Sequence, residues 1–131
     1  MPEAHEINIP GIVTEVRAVF ERYEVALTSN DVATLEELFW KAPQTTRYGV
    51  GENLYGWDEI SDFRRARGTG AFSRKLMRTV ITTYGRDFAT ANTEYRRQGH
   101  ALPGRETKTL LRTPDGWRIV SAHVSLLGET V

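Results

Sequence analysis

Two residues stand where chemistry is possible: Tyr23, within "FERYEVAL", and Arg47, within "TTRYGVGENLYGWDEI". Tyr23 falls in step with Ile12, Val16, Val19/Phe20 and Ala26/Leu27, so it shares the apolar stripe of a helix and aims its hydroxyl inward. There it is either a core tyrosine bonded to backbone or a donor toward a ligand. Arg47 alternates with Thr45 and Gly49 on one face of a short strand, while Thr46, Tyr48 and Val50 take the other. The pattern leaves open which face looks inward. Outward, Arg47 is a solvated charge. Inward, it needs an acidic partner or an anionic ligand, because burying an unpaired guanidinium is costly. Its planar fork then matches a carboxylate, and it favours ionisation of a nearby tyrosine. The glycines that follow run G-x-G-x-x-x-x-G, without dinucleotide spacing or the Lys-Ser/Thr of a P-loop, which excludes a phosphate loop of either kind.

The other candidates are weaker. Along the closing strand, Trp117, Ile119, Ser121, His123 and Ser125 share one face, and Arg118, Val120, Ala122 and Val124 the other. His123 between two serines reads as the polar wall of a pocket or as a satisfied core histidine. Trp40, ending a helix, closes that pocket or packs in the core. Arg74 and Arg78 share a strand face with Leu76 and Val80 and read as surface or dimer-facing. The acids Glu21, Glu24, Glu36, Glu37, Asp58, Glu59 and Asp62 all fit solvated helix faces, and no Ser-His-Asp constellation stands out.

Composition narrows the chemistry further. The 131 residues contain no cysteine, which removes disulfides, thiolate zinc sites and thiol nucleophiles. The three histidines, His5, His100 and His123, lack metal-ligand spacing, so a His-rich metal site is not expected. Seventeen basic and seventeen acidic side chains cancel, leaving no field to attract nucleic acid or an anionic membrane. Neither a signal peptide nor a membrane-length apolar run is visible, and a cytoplasmic protein is expected.

These residues must be positioned by helices followed by strands. One helix runs from Pro10-Gly11 to "TSND", with Asn30 expected to cap a second, which carries Val32, Leu35, Leu38 and Phe39. "WDEISDFRRARG" predicts a third, with acids at its front, arginines at its back and Gly68 as its stop. "RKLMRTVITTY", "FATANTEYRRQ", "RETKTLLR" and "WRIVSAHVSLL" predict four long antiparallel strands, the last two joined by "TPDG". The fold expected is α+β: three N-terminal helices packed on a curved, mostly antiparallel sheet that encloses a pocket. Residues 1–131 form one domain, with 1–10 a flexible or loosely packed N-terminus. The outward sheet face, assigned Tyr95 and other apolar residues, calls for a partner copy.

The order of elements resembles the nuclear transport factor 2-like (SnoaL-like) superfamily of cone-shaped domains. "FERYEVALTSNDVATLEELFW", "TTRYGVGENLYGWDEISDFRRAR" and "RTVITTYGRDFATANTEY" resemble, in order, the AtzH/HpxZ-like family linked to cyanuric acid and oxalurate catabolism. The resemblance implies a cofactor-independent, decarboxylating amidohydrolase that converts 1,3-dicarboxyurea to allophanate by C–N cleavage. By motif it implies Tyr23 and Arg47 as catalytic, and a homodimer. Trp40, His123 and Ser125 are then candidates for substrate binding, with a small carboxylated ureide as the partner. Oxalurate is an alternative substrate, and a non-catalytic ligand-binding or amidase-accessory domain an alternative role. An Arg47 that is exposed, or salt-bridged within the chain, would favour the binding-only role.

Overall fold

A computed structural model describes residues 3–67 and 73–128. Helix α1 spans Pro10–Ser29, α2 Val32–Leu38 and α3 Trp57–Ala66. Strands β1 (Thr46–Tyr48) and β2 (Asn53–Tyr55) form a short hairpin ahead of α3. The long strands follow: β3 (Arg74–Tyr84), β4 (Phe88–Arg97), β5 (Gly104–Thr113) and β6 (Gly116–Leu126). They make one six-stranded sheet in the order β2-β1-β6-β5-β4-β3, antiparallel except for the β1–β6 pair. The expected α+β cone is therefore the observed fold, with three helices laid on the concave face of the sheet.

The apolar stripe of α1 packs as its spacing requires. Ile12, Val16, Phe20, Tyr23 and Leu27 are all buried, and they meet Leu35, Leu38, Phe39, Ile60, Ala89, Ala91, Leu110, Ile119 and Ala122 in one core. Asn30 does not cap α2. It closes α1 in the left-handed conformation, at φ 55° and ψ 44°, which asparagine tolerates better than most residues. Asp31 caps α2 instead, accepting from the Thr34 N–H at 3.2 Å and from the Thr34 hydroxyl at 2.7 Å. Gly68, expected to stop α3, lies outside the described residues.

The N-terminal segment is held rather than loose over residues 6–8. Ile7 bridges Tyr84, and the Asn8 N–H donates to the Thr83 carbonyl at 3.0 Å. The Thr83 N–H donates to Asn8 Oδ1 at 2.9 Å, and the Gly85 N–H donates to the Glu6 carbonyl at 3.0 Å. Together these contacts cover part of the β3 edge, which would otherwise present unpaired backbone groups.

Two strands change face part-way along. On β6, Leu110 pairs with Ile119 and Thr109 with Ser121, so Val120 is an extra residue in the ladder. On β3, Leu76 pairs with Tyr95 and Arg78 with Glu94, so Met77 is extra. One extra residue reverses the two-residue alternation beyond it. Trp117 and Ile119 face inward before the β6 bulge, whereas Ala122 and Val124 do so after it.

Candidate active site

A cavity of about 270 Å³ opens between α1, α3, the β1–β2 hairpin and the inner face of the long strands. Tyr23, Arg47, Glu52, Arg67, Arg74, Tyr95, Arg97 and Glu106 supply its polar lining, and Leu27, Val50, Phe63 and Val124 supply apolar wall. At this size it suits a ligand smaller than a drug, for which pockets start at about 300 Å³. Four arginines face two glutamates in the lining, an excess of two positive charges. That imbalance points to an anionic occupant.

Tyr23 sits at the closed end, fully buried. Its ring stands edge-on to Phe39, with centroids 6.2 Å apart. Its hydroxyl accepts from Arg64 Nη2 at 3.1 Å and lies 3.4 Å from Glu106 Oε2, to which it donates. Arg64 is one of the arginines at the back of α3, on its last turn. It is buried, because it follows Ile60 by one turn on the core face. Its guanidinium lies over Phe39 at 5.8 Å, and its Nε and Nη1 have no hydrogen-bond partner among the described residues.

Glu106 is the hub of a buried ionic cluster. It accepts from Arg74 Nη2 at 2.9 Å and from Lys108 Nζ at 3.2 Å, both through Oε1. Burial alone would raise its pKa, but Lys108 and Arg74 more than reverse this and pull it down to about 2. Arg74 also pairs with Glu24, and its guanidinium stacks 4.3 Å from the Tyr95 ring centroid. Burial disfavours its charge, but the Glu24 hydrogen bond and the charges of Glu106 and Glu24 raise its pKa above the ordinary arginine value. Lys108 is buried over the Tyr23 and Phe20 rings, 4.1 Å and 4.9 Å from their centroids.

Arg47 turns inward on β1, settling what its alternation left open. Its Nη1 donates to Glu52 Oε1 at 2.7 Å, its guanidinium lies 5.5 Å from the Phe63 ring, and its buried Nε has no partner among the described residues. Arg67 and Arg97 complete the cationic lining. Burial, and after it the guanidiniums of Arg64, Arg47 and Arg97, hold the Arg67 pKa below its ordinary value.

A sequence model of the AtzH-like family matches residues 5–130. The chain belongs to that family. A Pectobacterium atrosepticum protein of unknown function is 51% identical over 98% of this chain and 100% of that one, with a TM-score of 0.95. A cystatin-like fold protein from Burkholderia xenovorans is 46% identical over 95% and 98% of the two chains, at 0.90. A nuclear transport factor 2-like superfamily protein from Salmonella enterica serovar Typhimurium shares the fold at 0.78, with 23% identity over 92% and 94%. No curated protein matches the chain.

In this AtzH-like domain, then, Tyr23 and Arg47 line one cavity, and the other expected site residues lie apart from it. His123 and Ser125 are on the convex face of β6 with Arg105 and Thr107, and the exposed His123 packs edge-on to Tyr48 at 5.5 Å. The Val120 bulge is the reason, since without it their parity would match the inward Trp117 and Ile119. Trp40 lines a separate surface groove with Glu36, Glu37, Lys41 and Trp57. Two further expectations are corrected. Arg74 is buried in the ionic cluster, not on the surface, and Glu24 pairs with it, not with solvent. Tyr95 faces the cavity, over Gly104, where a Cβ would lie 2.1 Å from its Cζ.

Sequence reading passed over Arg64, Glu52, Glu106 and Lys108 as site residues. A signal existed for two of them: Glu106 and Lys108 alternate with Gly104 and Leu110 on the inward face of β5. Among the described residues no group of three or more His, Asp or Glu side chains is placed to hold a metal ion. No described helix is long and apolar enough to cross a membrane.

Proposed function

We propose that this chain is an amidohydrolase acting on a small carboxylated urea such as 1,3-dicarboxyurea, releasing one terminal carboxylate to leave allophanate. The observation that carries the reading is the convergence of the Tyr23 hydroxyl and the Arg47 guanidinium on one small cavity with an excess of positive charge. Membership of the AtzH-like family supports it.

In this reading Arg47 receives a substrate carboxylate and holds the planar urea against Phe63, while Arg67 and Arg97 favour the second negative charge. Tyr23 acts as the proton donor. Because Arg64 donates to the phenol oxygen, the hydroxyl's own proton is free to point at Glu106 or at the bound substrate. Water adds at the terminal carboxylate carbon, the C–N bond breaks, and the departing nitrogen takes a proton, giving allophanate and bicarbonate. Tyr23 supplies that proton and is restored by the proton that the attacking water gives up, or it stabilises the developing charge on the urea oxygen while the water's proton passes to the nitrogen.

The internal Arg47–Glu52 ion pair favours a second reading, in which the cavity is self-satisfied and the domain only binds a ligand or a partner amidase. Product formation from freshly generated 1,3-dicarboxyurea, and in parallel from oxalurate, decides between them. Turnover of one substrate that is lost in folded Tyr23→Phe and Arg47→Ala variants establishes the enzyme. No turnover of either, with variants as inert and as stable as the wild type, supports the binding role.

A further inference from the structure

The two glutamates in the cavity wall are held very differently. Glu106 is 1% exposed and bonded to Arg74, Lys108 and Tyr23. Glu52 is 26% exposed, and its carboxylate makes one hydrogen bond among the described residues, to Arg47. It sits at the end of the tip joining β1 to β2, where Tyr48 pairs with Asn53 and the Gly49 N–H donates to the Glu52 carbonyl at 2.9 Å.

Gly49 makes the Arg47 contact possible. A Cβ there would lie 1.8 Å from Glu52 Oε1, so the carboxylate folds back through space that only glycine leaves open. Gly49 is not among the positive-φ glycines, so the requirement is for room and not for backbone conformation. Glu52 nevertheless uses only part of the guanidinium: it takes Nη1, while the buried Nε has no partner among the described residues.

We infer that Glu52 is a placeholder carboxylate, displaced from Arg47 by the carboxylate of the incoming substrate, and that this exchange makes the cavity selective for anions. The inference rests on the proposed role of Arg47 as a carboxylate receiver. Exchange of one carboxylate for another keeps a buried arginine paired throughout, and the released Glu52 swings toward water at little desolvation cost. A neutral urea offers Arg47 no equivalent charge and leaves the ion pair closed. Leaving both carboxylates on one guanidinium would set like charges together in a confined space, so the incoming anion drives Glu52 out.

The test is calorimetric titration of malonate, a small dicarboxylate, into wild type, Glu52→Gln, Gly49→Ala and Arg47→Met, each checked for folding by thermal melt. Glu52→Gln keeps the shape and removes the competing charge. Gly49→Ala moves the same carboxylate off Arg47 by steric contact while leaving it in the chain, and it serves if Glu52→Gln does not fold. Both are expected to bind malonate about tenfold or more tightly than wild type, one charge-assisted hydrogen bond's worth of relieved competition, and Arg47→Met to bind none. Unchanged or weaker binding in Glu52→Gln and Gly49→Ala, with Arg47→Met still abolishing it, overturns the placeholder role and leaves the Arg47 reading standing. Failure of all four proteins to bind malonate overturns the carboxylate reading of Arg47, and this inference with it.

Discussion

Arg64 Nη2 donates to the Tyr23 hydroxyl at 3.1 Å, linking the last turn of α3 to the middle of α1 across the closed end of the cavity. A fully buried guanidinium normally answers a carboxylate, yet this one answers a phenol and leaves Nε and Nη1 without partners among the described residues. Such an arrangement is costly for folding alone and is best accounted for by what it does to Tyr23: it occupies an oxygen lone pair and so directs the hydroxyl proton away from α3.

Replacing Arg64 should therefore separate activity from stability. In Arg64→Met, turnover of the proposed substrate is expected to fall about tenfold or more, with kcat affected more than KM. The melting temperature should hold or rise, because apolar replacement of a poorly paired buried charge is often neutral or stabilising. Thermal melts beside steady-state kinetics check this, and a parallel collapse of both would mean that Arg64 is structural.

Tyr23→Phe keeps the ring against Phe39 and removes only the hydroxyl. The expected loss is roughly a hundred- to a thousandfold in kcat, the range for a donor acting on developing charge. Stability should fall by about 1–3 kcal/mol in urea denaturation, since Arg64 then loses the hydrogen bond it makes to the Tyr23 hydroxyl.

Glu106 should leave a pH signature. Its folded pKa is about 2 against an ordinary 4.5, so the folded state favours the ionised form. The resulting stabilisation is fully present above about pH 4.5 and is lost as pH falls toward 2. It amounts to roughly 3 kcal/mol at about 1.4 kcal/mol per unit. Denaturation of wild type and Glu106→Gln across this window should show the wild type losing stability more steeply toward acid. Parallel curves would show that Glu106 does not carry the effect.

The N-terminal clasp is a separate prediction. Asn8 is left-handed at φ 59°, and its side chain accepts from the Thr83 N–H. Asn8→Ala should destabilise by about 1–2 kcal/mol through backbone strain and the lost acceptor, without changing substrate affinity. Urea midpoints beside a malonate titration measure both.

Much of this architecture was legible in the chain. The period of α1 and the "TPDG" turn fix their elements through local chemistry alone, and Tyr23 follows from its place on the α1 stripe. Recognisable segments likewise single out Arg47 and Tyr23 by motif. What local sequence does not carry is the facing of a strand beyond an inserted residue. Val120 on β6 turns His123 and Ser125 outward, and Met77 on β3 separates the buried Arg74 from the exposed Arg78, through a ladder irregularity that no local pattern announces. Nor does it carry the ionic cluster. Glu24, Arg74, Glu106 and Lys108 each sit on a segment that reads alone as a charged helix face or strand, and only when α1, β3 and β5 pack together do they neutralise one another in a space that water has largely left. Residue type and period are set by neighbours in the chain, whereas charge pairing and cavity lining are set by neighbours across the fold.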